Sequence, residues 1–312
     1  MVHDPQNPAR RKLLRRLTAL AAASMLRPHP ARSAPRTLIT RAIPATGETL
    51  PVIGMGSWIT FDVGEFPPGV RADRTAVLQT FFDLGGALVD SSPMYGRAEK
   101  VIGYALRHIV NNSALFAASK VWTIGHRQGV WQMEQSRRLW GIERFDLLQV
   151  HNLRDWRTHL ETLQAWKAEG QVRYVGVTTS HGRRHEELEQ VMRTEPIDFV
   201  QFTYNLVERQ AERRLLPLAA ERDIAVIINR PFRRGALFNR VAGTPLPDWA
   251  AEFDCSNWAQ FFLKFVVAHP AVTCAIPATS KVEHMRENMG AALGALPDAA
   301  LRKRMVEQVE RL

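Results

Sequence analysis

The sequence predicts an α/β protein, a (β/α)8 TIM barrel with an N-terminal β-hairpin, and three observations predict it. Eight short apolar runs alternate with longer amphipathic stretches from about residue 37 to the end. Most of the runs are continuously apolar rather than alternating, as expected of strands buried on both faces. The length, 312 residues, suits one large α/β barrel or two ordinary domains. An open doubly wound sheet is the competing arrangement. It is weakened because Gly54-Met55-Gly56 runs on into Ser57-Trp58-Ile59, where a dinucleotide fingerprint needs a third glycine opening a helix.

Taken in order, residues 37–43, the turn at 45–48 with Gly47, and residues 49–52 read as the hairpin. Barrel strands are expected at 52–57, 87–91, 115–120, 145–151, 172–178, 199–204, 225–229 and 273–276. Helices are expected at 74–84, 98–107, 156–169, 185–193, 212–222, 258–268, 283–293 and 297–312. The barrel domain accordingly runs over 34–312.

Residues 1–33 read differently. Of a formal charge of +10, +6 lies here: Arg10, Arg11, Lys12, Arg15, Arg16, Arg27 and Arg32 stand against Asp4 alone. A basic cluster is followed by the apolar run 17–26, too short to span a bilayer, and then by small and helix-breaking residues. The cluster Arg10-Arg11-Lys12-Leu13-Leu14 resembles a twin-arginine export signal. That resemblance implies the twin-arginine translocation machinery as a partner, a periplasmic location, and a protein exported already folded. A disordered basic arm is the plainer alternative. The other 279 residues carry only +4, which is no case for a nucleic-acid partner. Two cysteines exclude a disulfide scaffold, and no stable membrane insertion is expected.

Barrels of this kind place their chemistry at the C-terminal ends of strands. There the sequence offers Asp90 after Leu88-Val89, Tyr95 in the following loop, Lys120 at the end of the next strand and His151 at the end of the one after. A buried Asp and a buried Lys each need a partner. A lysine beside a tyrosine is expected to lower the phenol's pKa, with the aspartate holding the lysine charged. Tyr95 is then the candidate general acid, and a neutral His151 the donor that orients a carbonyl oxygen.

These residues and their surroundings resemble the aldo-keto reductase family. The stretch that opens with Asp90-Ser91-Ser92-Pro93 and continues as MYGRAEKVIGYAL (94–106), then SKVW (119–122) and QVHN (149–152), follow the family's blocks in order. The resemblance covers nearly the whole barrel. It implies reduction of an aldehyde or ketone to an alcohol with NADPH, with NAD possible. It also implies a catalytic set of Asp90, Tyr95, Lys120 and His151. For the cofactor it implies Gln201 at the nicotinamide amide, with Thr178 and Thr179 in place of the usual Ser-Asn. Phe232 and Arg234 then belong to the loop after the seventh strand, and Thr279, Ser280, Lys281, Glu287 and Asn288 to the adenosine end. Lys281 reads as a partner for a 2′-phosphate or equally as a solvated lysine, and Arg230, Arg233 and Arg234 flank the presumed pyrophosphate loop, where forked guanidinium groups suit phosphates, or equally form a basic surface loop. Two positions depart from the family: Asn229 stands where an aromatic ring stacks on nicotinamide, and His284 where NADPH-specific members carry arginine.

His181 and His185 share helical spacing, but a metal site would want a third ligand, and no metal is expected. Cys274, inside the last strand, reads as a small packed residue. Trp58 and Trp122 fall just past strand ends as candidate pocket walls, whereas Trp156, Trp249 and Trp258 read as packing under loops. Two other functions fit the same barrel: an exported cofactor-binding or redox-sensing protein with little turnover, and a Schiff-base enzyme using Lys120. A charged Lys120 held by Asp90 argues against the second.

Overall fold

The computed structural model describes residues 37–312. The export reading of 1–33 and the first residues assigned to the barrel domain lie outside them. Strands β1 (Thr40–Ala42) and β2 (Thr49–Pro51) pair antiparallel, joined through Gly47 at φ 77°, a conformation that favours a residue without Cβ. The expected hairpin is there. Its Ile43 and Leu50 are buried in one apolar cluster with Leu88, Phe116, Leu147, Tyr174 and Phe199, so the hairpin plugs the N-terminal end of the barrel. Glu48 accepts from Tyr174 Oη at 2.6 Å and pairs with Arg173, which fastens the plug's edge.

Eight parallel strands follow in chain order: β3 (Met55–Gly56), β4 (Leu88–Asp90), β5 (Phe116–Val121), β6 (Phe145–Val150), β7 (Val172–Thr178), β8 (Phe199–Thr203), β9 (Ala225–Asn229) and β10 (Cys274–Ala275). Parallel bridges Ile53↔Ala275 and Gly56↔Ala278 bring the two edges together. Across that seam the Gly54 N–H donates to Ala275 O at 2.9 Å and the Gly56 N–H to Pro277 O at 3.0 Å. A Cβ on Gly54 would lie 2.9 Å from Leu88 O, and one on Gly56 2.8 Å from Ile276 O. The Gly-x-Gly pair thus lets backbones approach where the sheet closes.

Strand alternation sorts the core. Phe116, Ala118, Leu147, Tyr174, Phe199, Ala225, Ile227 and Cys274 pack into one buried cluster, whereas their neighbours Ala117, Val121, Leu148, Val150, Val175, Val177, Val200 and Val226 belong to another, packed with helix residues. Towards the C-terminal end the inward positions turn polar: Asp90, Lys120, Gln149, Thr178 and Gln201, all buried. Cys274 is a buried free thiol, as expected, and so is Cys255.

The helices are α1 (Val70–Asp83), α2 (Ala98–Leu106), α3 (His126–Trp140), α4 (Trp156–Ala168), α5 (His185–Thr194), α6 (Leu215–Glu221), α7 (Ala236–Arg240), α8 (Trp258–Val267), α9 (Val282–Gly290) and α10 (Ala299–Glu310). The eight expected helices are present with shifted ends. Two were not anticipated, α3 and the short α7. Helix α3 buries Gly129, Met133, Ser136 and Trp140, a stripe half made of small residues that leaves little apolar signal. Its C-cap Gly141, at φ 69°, was the legible sign of a helix end. No helix of the described residues is long and apolar enough to cross a membrane.

Candidate active site

The polar inward layer is organised around Asp90. Lys120 Nζ donates to Asp90 Oδ1 (2.7 Å), to Asp90 Oδ2 (2.6 Å) and to Ser91 O (2.7 Å), which uses all three ammonium protons. Gln201 Nε2 and Gln149 Nε2 also donate to Asp90 Oδ1, at 3.2 and 3.4 Å. Lys120 is 0 % and Asp90 2 % exposed. Burial pushes the Asp90 carboxyl up and the Lys120 ammonium down, and the contact between them opposes both shifts. The pair therefore has its charge matched and its polar atoms satisfied, the condition for keeping ions inside a protein.

Tyr95 lies directly against this pair. Lys120 Nζ sits 5.2 Å from the Tyr95 ring centroid, and the His151 ring meets Tyr95 edge-on at 5.6 Å. The expected lowering of the Tyr95 pKa is not what the structure shows. Burial, and then the negative Asp90, hold the phenol well above its ordinary value. The phenol keeps its proton and is a donor, not a phenolate.

His151 begins the 3-10 turn that follows β6. Burial, and then the Lys120 charge, hold its pKa well below the ordinary value, so the ring is neutral, as expected. Its Nδ1 is 2.8 Å from Ser92 Oγ, which also accepts the Met94 N–H at 3.2 Å. In the tautomer in which Ser92 Oγ–H donates to Nδ1, the ring proton sits on Nε2.

Asp90, Tyr95 and His151 share the wall of one cavity of about 440 Å³ with Thr178, Thr179, Gln201, Phe232 and Arg234. Lys120 lies beneath them and behind the wall. A second cavity shares Phe232, Phe238 and Ala278 with the first and is lined by Thr279, His284, Glu287 and Asn288. Thus the structure groups eleven of the fourteen sequence-predicted site residues along two adjoining cavities and puts Lys120 directly under them. Ser280 and Lys281 line neither cavity, and Lys281 is exposed at the N-cap of α9.

Five buried polar atoms on these walls have no hydrogen-bond partner: Thr60 Oγ1, Thr179 Oγ1, Arg230 Nε and Arg230 Nη1 in the first cavity and Asn288 Nδ2 in the second. A dinucleotide, polar at both ends and in its middle, fits that demand. Arg234, from the loop after β9, lies over the Trp58 ring at 4.6 Å, and both line the first cavity. Asn229 donates through Nδ2 to Thr179 O (2.9 Å) and accepts from Thr203 Oγ1 (2.7 Å), so it is a tied polar wall where a ring was the family's pattern.

Trp58 lines the cavity as expected, but Trp122 does not; Arg154 covers its ring at 5.1 Å. Trp249 and Trp258 pack on Phe261, although Trp258 also lines the second cavity. Sequence reasoning missed Gln149, Ser92 and Glu99. Gln149 stands two residues before His151 and so on the same inward face, a signal that was available. Buried Glu99 accepts from Ser119 Oγ (2.6 Å), Ser136 Oγ (2.8 Å) and Trp140 Nε1 (3.3 Å), tying α2 and α3 to β5 beside Lys120. No spacing in the sequence points to those three donors.

Known proteins resemble this chain in sequence and in fold. A sequence model of the aldo/keto reductase family matches residues 52–304. Methylglyoxal reductase YeaE of Escherichia coli is 29 % identical over 251 residues, which is 77 % of this chain and 84 % of that protein. An NADH-specific methylglyoxal reductase of the same organism is 22 % identical over 85 % of this chain and 98 % of its own. Among solved structures, an aldo-keto reductase from Klebsiella pneumoniae in complex with NADPH superposes with a TM-score of 0.69 at 24 % identity, covering 89 % of this chain and 95 % of that one.

Proposed function

The chain belongs to the aldo/keto reductase family, and on that premise we propose that it reduces a small aldehyde or ketone to an alcohol with NADPH, and less readily with NADH. The observation that carries the reading is the clustering of a protonated Tyr95, a neutral His151 and the Asp90–Lys120 pair on one cavity. The relatives named for methylglyoxal reduction support a small carbonyl compound as substrate.

Thr178, Thr179 and Gln201 would hold the nicotinamide end, Arg234 and Phe232 the middle, and Thr279, Glu287 and Asn288 the adenosine end. When bound, the nicotinamide supplies a hydride to the carbonyl carbon. The chain supplies the proton. His151 Nε2–H points the carbonyl oxygen and polarises it, and Tyr95 Oη gives its proton to that oxygen as charge develops there. The resulting phenolate lies beside the Lys120 ammonium, whose position Asp90 fixes, and is reprotonated from solvent. A phenol held above its ordinary pKa transfers its proton only to an oxygen that is becoming strongly basic, which ties the proton to the hydride step.

The tied Asn229 favours a second reading, a cofactor-holding protein with little turnover, since it offers no ring to stack on nicotinamide. One experiment separates the two readings. Purified protein is mixed with NADPH, and absorbance at the nicotinamide band is followed on adding methylglyoxal. Catalytic loss of the band supports the reductase; nucleotide binding without loss across a panel of aldehydes supports the holder; no binding removes both.

A further inference from the structure

A second carboxylate stands behind the polar layer, and the proposed carbonyl chemistry does not use it. Glu99, in the first turn of α2, is 2 % exposed and lines neither cavity. Its oxygens accept from neutral donors: Ser119 Oγ at 2.6 Å and Trp140 Nε1 at 3.3 Å on Oε1, and Ser136 Oγ at 2.8 Å on Oε2. A glutamine would fill the same space, accepting through Oε1 and donating through Nε2 to Ser136 Oγ, so the hydrogen bonds do not explain a charge there. Burying a carboxylate is costly unless a positive charge answers it.

The answering charge is Lys120. Ser119 precedes it on β5, and successive strand side chains leave on opposite faces. Lys120 reaches inward to Asp90, and Ser119 reaches outward to Glu99. The titratable groups around the ammonium therefore come from three sides: Asp90 of β4 in contact, Tyr95 and His151 towards the cavity, and Glu99 of α2 behind the strand. Burial pushes Glu99 up, against its hydrogen bonds and then the Lys120 charge. Burial pushes Lys120 down, against Asp90 and then Glu99. Asp90 is pushed up by burial, against Lys120, Gln201 and Gln149. Burial alone thus favours the uncharged form of the pair, with its proton on Asp90. Glu99 acts at the lysine end and so favours the ion pair.

We propose that Glu99 is a positioning residue that acts through Lys120, its carboxylate holding the ammonium charged from behind β5 and so setting the highest pH at which the site works. This rests on the reductase reading for the activity, and on the Glu99–Ser119–Lys120 arrangement for the charge.

Glu99→Gln isolates that charge, because the amide keeps the three hydrogen bonds. The alkaline limb of kcat/KM for methylglyoxal should move down by about one pH unit relative to the parent, whatever the height of the plateau. Stability supplies a readout that needs no turnover. The folded pKa of Lys120 lies below the unfolded value, and lower still in the variant, so the folded variant gives up that proton earlier as pH rises. Chemical denaturation should therefore show Glu99→Gln gaining stability relative to the parent between about pH 8 and about pH 10. Placed in Asp90→Asn with Lys120→Met, the same substitution should lose that gain.

An unshifted limb in a parent that turns over would overturn the proposal. So would stabilities that run parallel at every pH, which is what a packing role alone would give. A gain that persists without Lys120 would assign the titration to Glu99 itself and overturn it too, and a variant that does not fold would give the carboxylate to the packing with the same result. A Lys120-dependent gain in a parent without carbonyl turnover would uphold the charge and count against the reductase reading alone.

Discussion

Substituting Asp90→Asn tests the polar layer under the site most severely. Asp90 is the only anion that Lys120 Nζ touches among the described residues, through two contacts of 2.7 and 2.6 Å, and both side chains are buried. Asparagine keeps the volume and one acceptor but removes the charge. The ammonium then loses its only contacting anion, next to Tyr95, and keeps only the more distant charge of Glu99. Removing one partner of a buried ion pair costs about 3–5 kcal/mol, whereas replacing both by apolar groups of similar volume is close to neutral. Chemical denaturation should therefore show Asp90→Asn destabilised by about that amount, and Asp90→Asn with Lys120→Met should recover most of it. The variant should also carry a pH signature. Its Lys120 has a folded pKa below the unfolded value, so the unfolded chain binds more protons between the two and stability rises with pH towards the ordinary lysine range. A loss under about 1 kcal/mol, or a double variant worse than the single, would refute the reasoning that the pair exists to match its own charges.

Three further outcomes follow from the same geometry. His151 is held neutral well below its ordinary pKa, so kcat/KM should stay flat as pH falls through about 6.5 and drop only below it; a decline centred on the ordinary histidine value would contradict the burial argument. Gly103 in α2 lies so close to α3 that an added Cβ would meet Leu139 O at 1.8 Å. Gly103→Ala gains about 1 kcal/mol of helix propensity but must push α2 and α3 apart, so thermal unfolding should show a net loss of about 1–3 kcal/mol, and a stabilised variant would show the crossing to be looser than described. Changing Arg10 and Arg11 together to Lys should leave the protein inside the cell if the leading segment is a twin-arginine signal, and cell fractionation with an unaltered distribution would remove that reading.

Much of the fold was legible because the barrel strands are buried on both faces. Runs such as Val172–Thr178 and Ala225–Asn229 are mostly apolar and β-branched, and the structure places both at the expected boundaries. Helix α3 was not legible, since Gly129 and Ser136 hold the places where a stripe would show larger apolar groups. The reacting side chains stood out as charged or hydroxylated residues closing apolar runs. What the sequence could not show is where each proton goes. Spacing places Lys120 near Tyr95, but only geometry reveals that its three donors are spent on Asp90 and Ser91 and that burial and the Asp90 charge push the phenol's pKa up. The same holds for Ser92, whose link to the His151 ring depends on a loop folding back by a turn at Tyr95.

The central claim is that Tyr95 gives the carbonyl oxygen its proton, and Tyr95→Phe tests it most directly. The ring, its packing against His151 and its place over Lys120 are kept, and only the hydroxyl is lost. Single-turnover oxidation of bound NADPH by methylglyoxal should slow by about 10²–10⁴ while NADPH affinity is unchanged. A rate within a few-fold of the parent, at equal cofactor binding, would contradict the account.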